Sequence, residues 1–223
     1  MILAIGGGLV AGLLHVFAGP DHLAALAPMA VEDPARAARL GLLWGFGHGA
    51  GVVLLGGLGI LARAAFDVEA LSAGSERLVG VVLIGVGLWA LRAAMAATVH
   101  SHPHGHHPAE QGHPHLHPPG SRHDEPGAHA RHSHAVFGVG MLHGAAGTGH
   151  VLGVLPSLVL PPAAAAGWLG AYLLGAVGAM GGFGLLLGAF AARQGARGLR
   201  GLLGGSGALA VAVGLFWILA GPV

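Results

Sequence analysis

Six runs of apolar residues, each about as long as a helix that crosses a bilayer, leave this 223-residue chain few folds to choose from. They lie at roughly 2–30, 38–63, 77–98, 135–160, 163–192 and 199–221. A hydrocarbon core of about 30 Å needs about 20 consecutive apolar residues in a helix. Charged residues make up 9% of the chain, where a soluble domain carries about a quarter. The predicted fold is therefore an all-α integral membrane protein with six transmembrane helices. The first run lacks a basic leader and is too long for a secretory core, so it is expected to stay as a span. Connections are short except for residues 99–134.

Basic residues then set an expected orientation. All ten are arginine. Arg36, Arg39, Arg92, Arg122, Arg131, Arg193, Arg197 and Arg200 border the connections after spans 1, 3 and 5, and only Arg63 and Arg77 fall on the other side. The excess predicts those three connections in the cytoplasm and both termini outside. A formal net charge of +1 gives no footprint for a nucleic-acid partner. With no cysteine, disulfides and thiolate metal sites are excluded.

A repeat is hidden in the two halves. "GLLHVFAGPDHLAALAP" (12–28) aligns without a gap on "GMLHGAAGTGHVLGVLP" (140–156). Gly12, Leu14, His15, Ala18, Gly19, His22 and Pro28 meet their identical counterparts 128 residues later. "GVGLWAL" (85–91) and "AVGLFWI" (212–218) add a weaker echo. Three spans followed by three spans enter the membrane from opposite sides, so the chain divides into an inverted repeat at 1–98, a linker at 99–134 and a second repeat at 135–223. Inverted repeats are a common plan for secondary transporters, with a site near the midplane on interrupted helices.

The polar residues inside these spans are the candidate site. His15, His22, His48, His143 and His150 lie in apolar runs, and Asp21 is the acid set well inside one. Ionisable groups in a membrane are costly and line a pathway or a site. Imidazole with carboxylate suits Ni²⁺, Co²⁺, Zn²⁺ or Fe²⁺ and disfavours Cu⁺, Ca²⁺ and Mg²⁺. In a straight helix His15 and His22 would stand about 10.5 Å apart along the axis, too far to share one ion. Gly19-Pro20 between them predicts a break that draws the two together. His48, in "GFGHGAGV", has no histidine counterpart in span 5; an interhelical hydrogen bond or a place in the metal site would each account for it.

"HVFAGPDH" resembles the His-x-x-x-x-Asp-His signature of the nickel–cobalt transporter family, and "GFGHG" resembles that family's Gly-His segment. The likeness is closest to its compact branch, similar to urease accessory protein H, which also has the "LHGAAGTGHVLGVLP" type of segment. Two departures stand out: one extra residue inside the signature, and six spans where the main family has eight. The resemblance implies a secondary transporter, not an enzyme, moving Ni²⁺ or Co²⁺ as substrate across a bacterial cytoplasmic membrane. His15, Asp21, His22 and His48 would lie in the metal path, and His143 and His150 in the duplicated half. It also implies uptake as the favoured direction, with no further cofactor. A nickel-enzyme maturation system, for urease or hydrogenase, or other transport components would be partners. Efflux by the same fold and a membrane haem protein with paired histidine ligands are the competing expectations. Residues 100–134 hold 12 of the 17 histidines among prolines and glycines, a composition that predicts a disordered, metal-buffering or sensing linker.

Overall fold

The computed structural model describes residues 1–62, 68–96, 98–100, 115–117, 128–146, 156–157 and 159–220. Seven helices are formed among them: α1 (Ile2–Ala18), α2 (Pro20–Glu32), α3 (Ala37–Ala62), α4 (Val68–Ala96), α5 (Ala128–Gly144), α6 (Pro162–Ala191) and α7 (Ala196–Leu219). One short antiparallel ladder pairs β1 (Thr98–His100) with β2 (His115–His117). His150 and most of the histidine-rich linker lie outside the described residues.

Among the described residues, three helical stretches are long and apolar enough to cross a membrane: Glu76–Ala96, Pro162–Ala191 and Ala196–Leu219. A fourth span results if α1 and α2 are one broken helix; they meet at a 72° bend. The break follows from the local sequence. Gly19 is extended (φ −93°, ψ 101°) and closes α1 with its N–H on the carbonyl of His15 at 3.2 Å. Pro20, which has no N–H to give, opens α2 in the first helical position, where none is needed. At 13 residues α2 is about 20 Å long, too short to span by itself.

The two arms of the bend live in different surroundings. On α1 most of the large apolar side chains point outward, with Leu3 90% and Leu14 62% exposed, while Val16 faces the core. In water such a surface would drive aggregation; in a bilayer it is the lipid face. Helix α2 is buried almost all round, through Ala24, Ala25, Leu26, Pro28, Ala30 and Val31. It therefore belongs to the protein interior.

Helix α5 begins at Ala128, earlier than the run at 135 suggests. Pro126-Gly127 is the last helix-breaking pair upstream, and "AHARHSH" (128–134) contains neither residue, so the helix reaches back into the histidine-rich segment.

Packing depends on glycine. In a bilayer, apolar contact would give helices no preference for each other over lipid, and close backbone approach would replace the hydrophobic drive. Helix α1 lies on α6, α3 on both α5 and α6, and α4 on α7. A Cβ at Gly12 would strike the carbonyl of Tyr172 and the amide of Ala176; one at Gly140 would strike the carbonyl of Trp44 and the amide of His48. In the same way Gly175 abuts Leu9 and Leu13, and Gly47 abuts Phe137 and Met141. Every residue in one member of these pairs of contacts has its counterpart 128 positions away in the other. On α4 and α7, Gly80 meets Gly214 and Gly87 meets Gly207, a reciprocal pair at an offset of 127.

Candidate metal centre

The bend at Gly19 brings His15, from the last turn of α1, and His22, from the first turn of α2, to a ring-centroid separation of 4.7 Å. His48 on α3 completes a triangle, 5.5 Å from His15 and 5.1 Å from His22. Ligand nitrogens of these three residues all lie within 4.8 Å of one another. Ligands around a tetrahedral ion at about 2.0–2.1 Å stand about 3.3 Å apart, so small side-chain rotations close the triangle on one ion. The break predicted at Gly19-Pro20 is what makes this triangle possible.

A second group shares His22. Asp21 accepts from His22 Nδ1 through Oδ1 at 3.1 Å and from His143 Nε2 through Oδ2 at 2.9 Å. Asp21, His22 and His143 also have ligand atoms within 4.8 Å of one another. His143 sits in the last turn of α5, so the second half of the chain delivers its histidine to the carboxylate of the first half. Asp21 (5% exposed), His22 (3%), His48 (1%) and His143 (3%) are buried together. Neighbouring side chains on a helix ordinarily diverge. Here Gly19 leaves room for Asp21 to fold back on His22: a Cβ at residue 19 would stand 2.7 Å from Asp21 Oδ1 and would collide with the His22 ring.

Two aromatic residues that the sequence motifs do not single out border the centre. Trp44 stacks on His48, with centroids 5.1 Å apart and planes at 12°, and touches the rings of His22 at 5.4 Å and His143 at 5.2 Å. Tyr172 lies 5.7 Å from the ring of His15. Trp44 Nε1, Tyr172 Oη and His22 Nε2 are buried without a hydrogen-bond partner among the described residues. The signal for Trp44 was its place four residues before His48, on the same face of α3; Tyr172 is 128 residues beyond Trp44.

Of the six residues expected to bind metal, the structure brings together His15, Asp21, His22, His48 and His143, while His150 lies outside the described residues. The donor set is imidazole and carboxylate, closely spaced and buried apart from the half-buried His15. The paired-histidine haem arrangement does not fit it: the rings of His15, His22, His48 and His143 crowd one another edge to face or tilted, with centroids at 4.7–5.9 Å, too close for a macrocycle between axial ligands.

Comparison with known proteins corrects the expected family. Chloroplast protein FOR GROWTH AND FERTILITY 1 of Arabidopsis thaliana is 41% identical over 88 residues, covering 39% of this chain and 24% of that protein. Chloroplast protein FOR GROWTH AND FERTILITY 2 of the same organism is 30% identical over 189 residues, covering 81% of this chain and 46% of that protein. The chain thus matches less than half the length of either relative. No family model and no solved structure matches it. The expectations of a nickel–cobalt transporter, of uptake or efflux of those ions, and of a bacterial cytoplasmic membrane are overturned by these chloroplast relatives. The reason lies in what each signal measures. A His…Asp-His pattern at a broken helix records a local way of gathering ligands, whereas the match over 189 residues takes in most of the chain.

Proposed function

We propose that this chain is a membrane protein whose buried centre binds one divalent transition-metal ion through His15, His22 and His48. The observation that carries the proposal is the convergence of three imidazoles from both arms of the α1–α2 bend and from α3, with ligand atoms within 4.8 Å. Ionisable groups gathered in an apolar bundle are costly and ordinarily mark a site or a pathway. Neutral imidazole prefers Zn²⁺, Fe²⁺ and their first-row neighbours to Ca²⁺ or Mg²⁺. The lipid bilayer is the other partner, along the exposed apolar faces.

The architecture belonging to this proposal is six spans in two inverted three-helix repeats, 1–98 and 135–223, joined by residues 99–134. Its support is the matched packing of Gly12 with Gly140 and of Gly47 with Gly175, each at a spacing of 128 residues. α1 and α2 form the first span, and α5 opens the fourth. As α1 ends just after His15, α5 ends just after His143, where the amide of Ala146 turns back on the His143 carbonyl at 3.1 Å.

Metal content of the purified full chain, titrated with Zn²⁺ and with Co²⁺ in detergent, tests the proposal. One tight equivalent is expected beside weaker binding by the histidine-rich segment. His15→Ala, His22→Ala and His48→Ala should each remove the tight equivalent and leave the weak ones. A tight equivalent that survives all three substitutions refutes the centre.

A further inference from the structure

We infer that Asp21 is a positioning residue and not a ligand of the ion: it fixes the tautomer of His22 so that the Nε2 lone pair is left for metal. The inference rests on the metal-centre proposal and assigns one of its residues a different role. An ionised carboxylate only accepts hydrogen bonds. Both oxygens of Asp21 are engaged by ring nitrogens, Oδ1 with His22 Nδ1 and Oδ2 with His143 Nε2. Each of those nitrogens therefore carries the proton. In neutral His22 a proton on Nδ1 leaves Nε2 as the bare acceptor. That atom is buried and has no hydrogen-bond partner among the described residues. Free imidazole side chains in water favour the opposite tautomer, so Asp21 reverses the choice. A carboxylate behind a ligating histidine also raises its basicity and holds the ring in place.

The alternative is that Asp21, His22 and His143 hold metal directly. Binding there would break both hydrogen bonds. Two ions in the pair of sites would set four positive charges against one carboxylate inside an apolar bundle, where uncompensated charge is least tolerated. A single ion on three imidazoles leaves both hydrogen bonds of Asp21 intact. Gly19 is part of the device, because a side chain there would push the carboxylate off the His22 ring.

Nitrogen NMR of the metal-free full chain, labelled at histidine, reads the tautomer directly, with the His22 signals assigned by their loss in His22→Ala. The expected result is a proton on Nδ1 in the natural chain and a shift toward Nε2 in Asp21→Ala. Co²⁺ then reads the consequence. Asp21→Asn retains an acceptor for Nδ1–H and should bind Co²⁺ about 10-fold more weakly, and Asp21→Ala about 100-fold more weakly. In both, X-ray absorption should show the same three-imidazole shell as the natural chain. A proton on Nε2 in the natural chain, an unchanged affinity in Asp21→Ala, or loss of an oxygen donor from the shell would overturn the inference. Absence of His15, His22 and His48 from the Co²⁺ shell of the natural chain would instead refute the metal centre itself.

Discussion

Helices α3 and α6 meet their partners in the same way and offer them different chemistry. Gly140 of α5 lies against Trp44 and His48 of α3; Gly12 of α1 lies against Tyr172 and Ala176 of α6. The backbone contacts correspond residue for residue at a spacing of 128. Only α3 adds an imidazole, and Asp21 has no acidic counterpart, since Gly149 stands 128 residues beyond it in the sequence. The glycine contacts recur at a fixed spacing, whereas His48 and Asp21 have no like counterpart. Close packing constrains the backbone and the glycines at the crossings, so those features keep their spacing in both halves. The side chains that face inward are free of that constraint, and the single carboxylate, Asp21, is shared by His22 of the first half and His143 of the second.

The largest expected effect comes from attacking the shared scaffold. Gly140→Val and Gly12→Val each place a branched side chain against a neighbouring backbone, which cannot yield as a flexible side chain would. Overpacking a well-filled interior ordinarily costs about 1–3 kcal/mol, and a backbone clash lies at or beyond the upper end. Both variants should lose comparable thermal stability in detergent. A large loss in one and none in the other would break the correspondence between the two contacts.

Gly19→Ala acts next, on the centre and not on the scaffold. Its methyl group meets Asp21 and His22, while the backbone at residue 19 is in an extended conformation open to any residue. Metal affinity should fall about 10-fold, the size of effect expected when a supporting contact behind a ligand is disturbed. Thermal stability of the metal-free protein should change by less than in Gly12→Val. Calorimetric titration with Co²⁺ and a melting curve separate the two. An affinity equal to that of the natural chain would mean that the Asp21–His22 contact adapts freely.

How much of this was legible in the sequence depended on how local the signal was. Gly19-Pro20 announced the bend because a missing N–H and a ring clash act within one turn, whatever the rest of the chain does. The gathering of His15, His22 and His48 could be anticipated from that bend and from their unusual placement in apolar runs. The repeat placed Asp21 and His143 in one region, but the hydrogen bond between them could not be read from it, because that depends on how α5 docks against α3. The correspondence of α3 with α6 was equally hidden: between 41–52 and 169–180 only Gly47 and Gly175 are identical. Packing demands small size at those two sites and leaves the other positions to drift. The family was misread for a related reason. Ligand-gathering motifs are short, and the same ion chemistry imposes them on chains of different descent.

Trp44 and Tyr172 supply the smallest effects and the sharpest contrast, because they hold corresponding positions and both bury a donor without a partner among the described residues. Trp44 borders three of the histidines and stacks on one of them. Trp44→Phe keeps an aromatic ring but gives up area in a site with no slack. It should weaken Co²⁺ binding by about 5-fold, since an aromatic contact contributes about 0.5–1.5 kcal/mol beyond its area. Tyr172→Phe removes an oxygen that is already costly to bury. Deleting an unpaired buried polar atom while keeping its ring relieves a desolvation penalty of about 1–3 kcal/mol that no hydrogen bond offsets. The metal-free protein should therefore melt at the same temperature or higher, with Co²⁺ affinity unchanged. A drop in affinity in Tyr172→Phe as large as that in Trp44→Phe would show that α6 serves the centre as α3 does, and that the asymmetry between the halves is smaller than their side chains suggest.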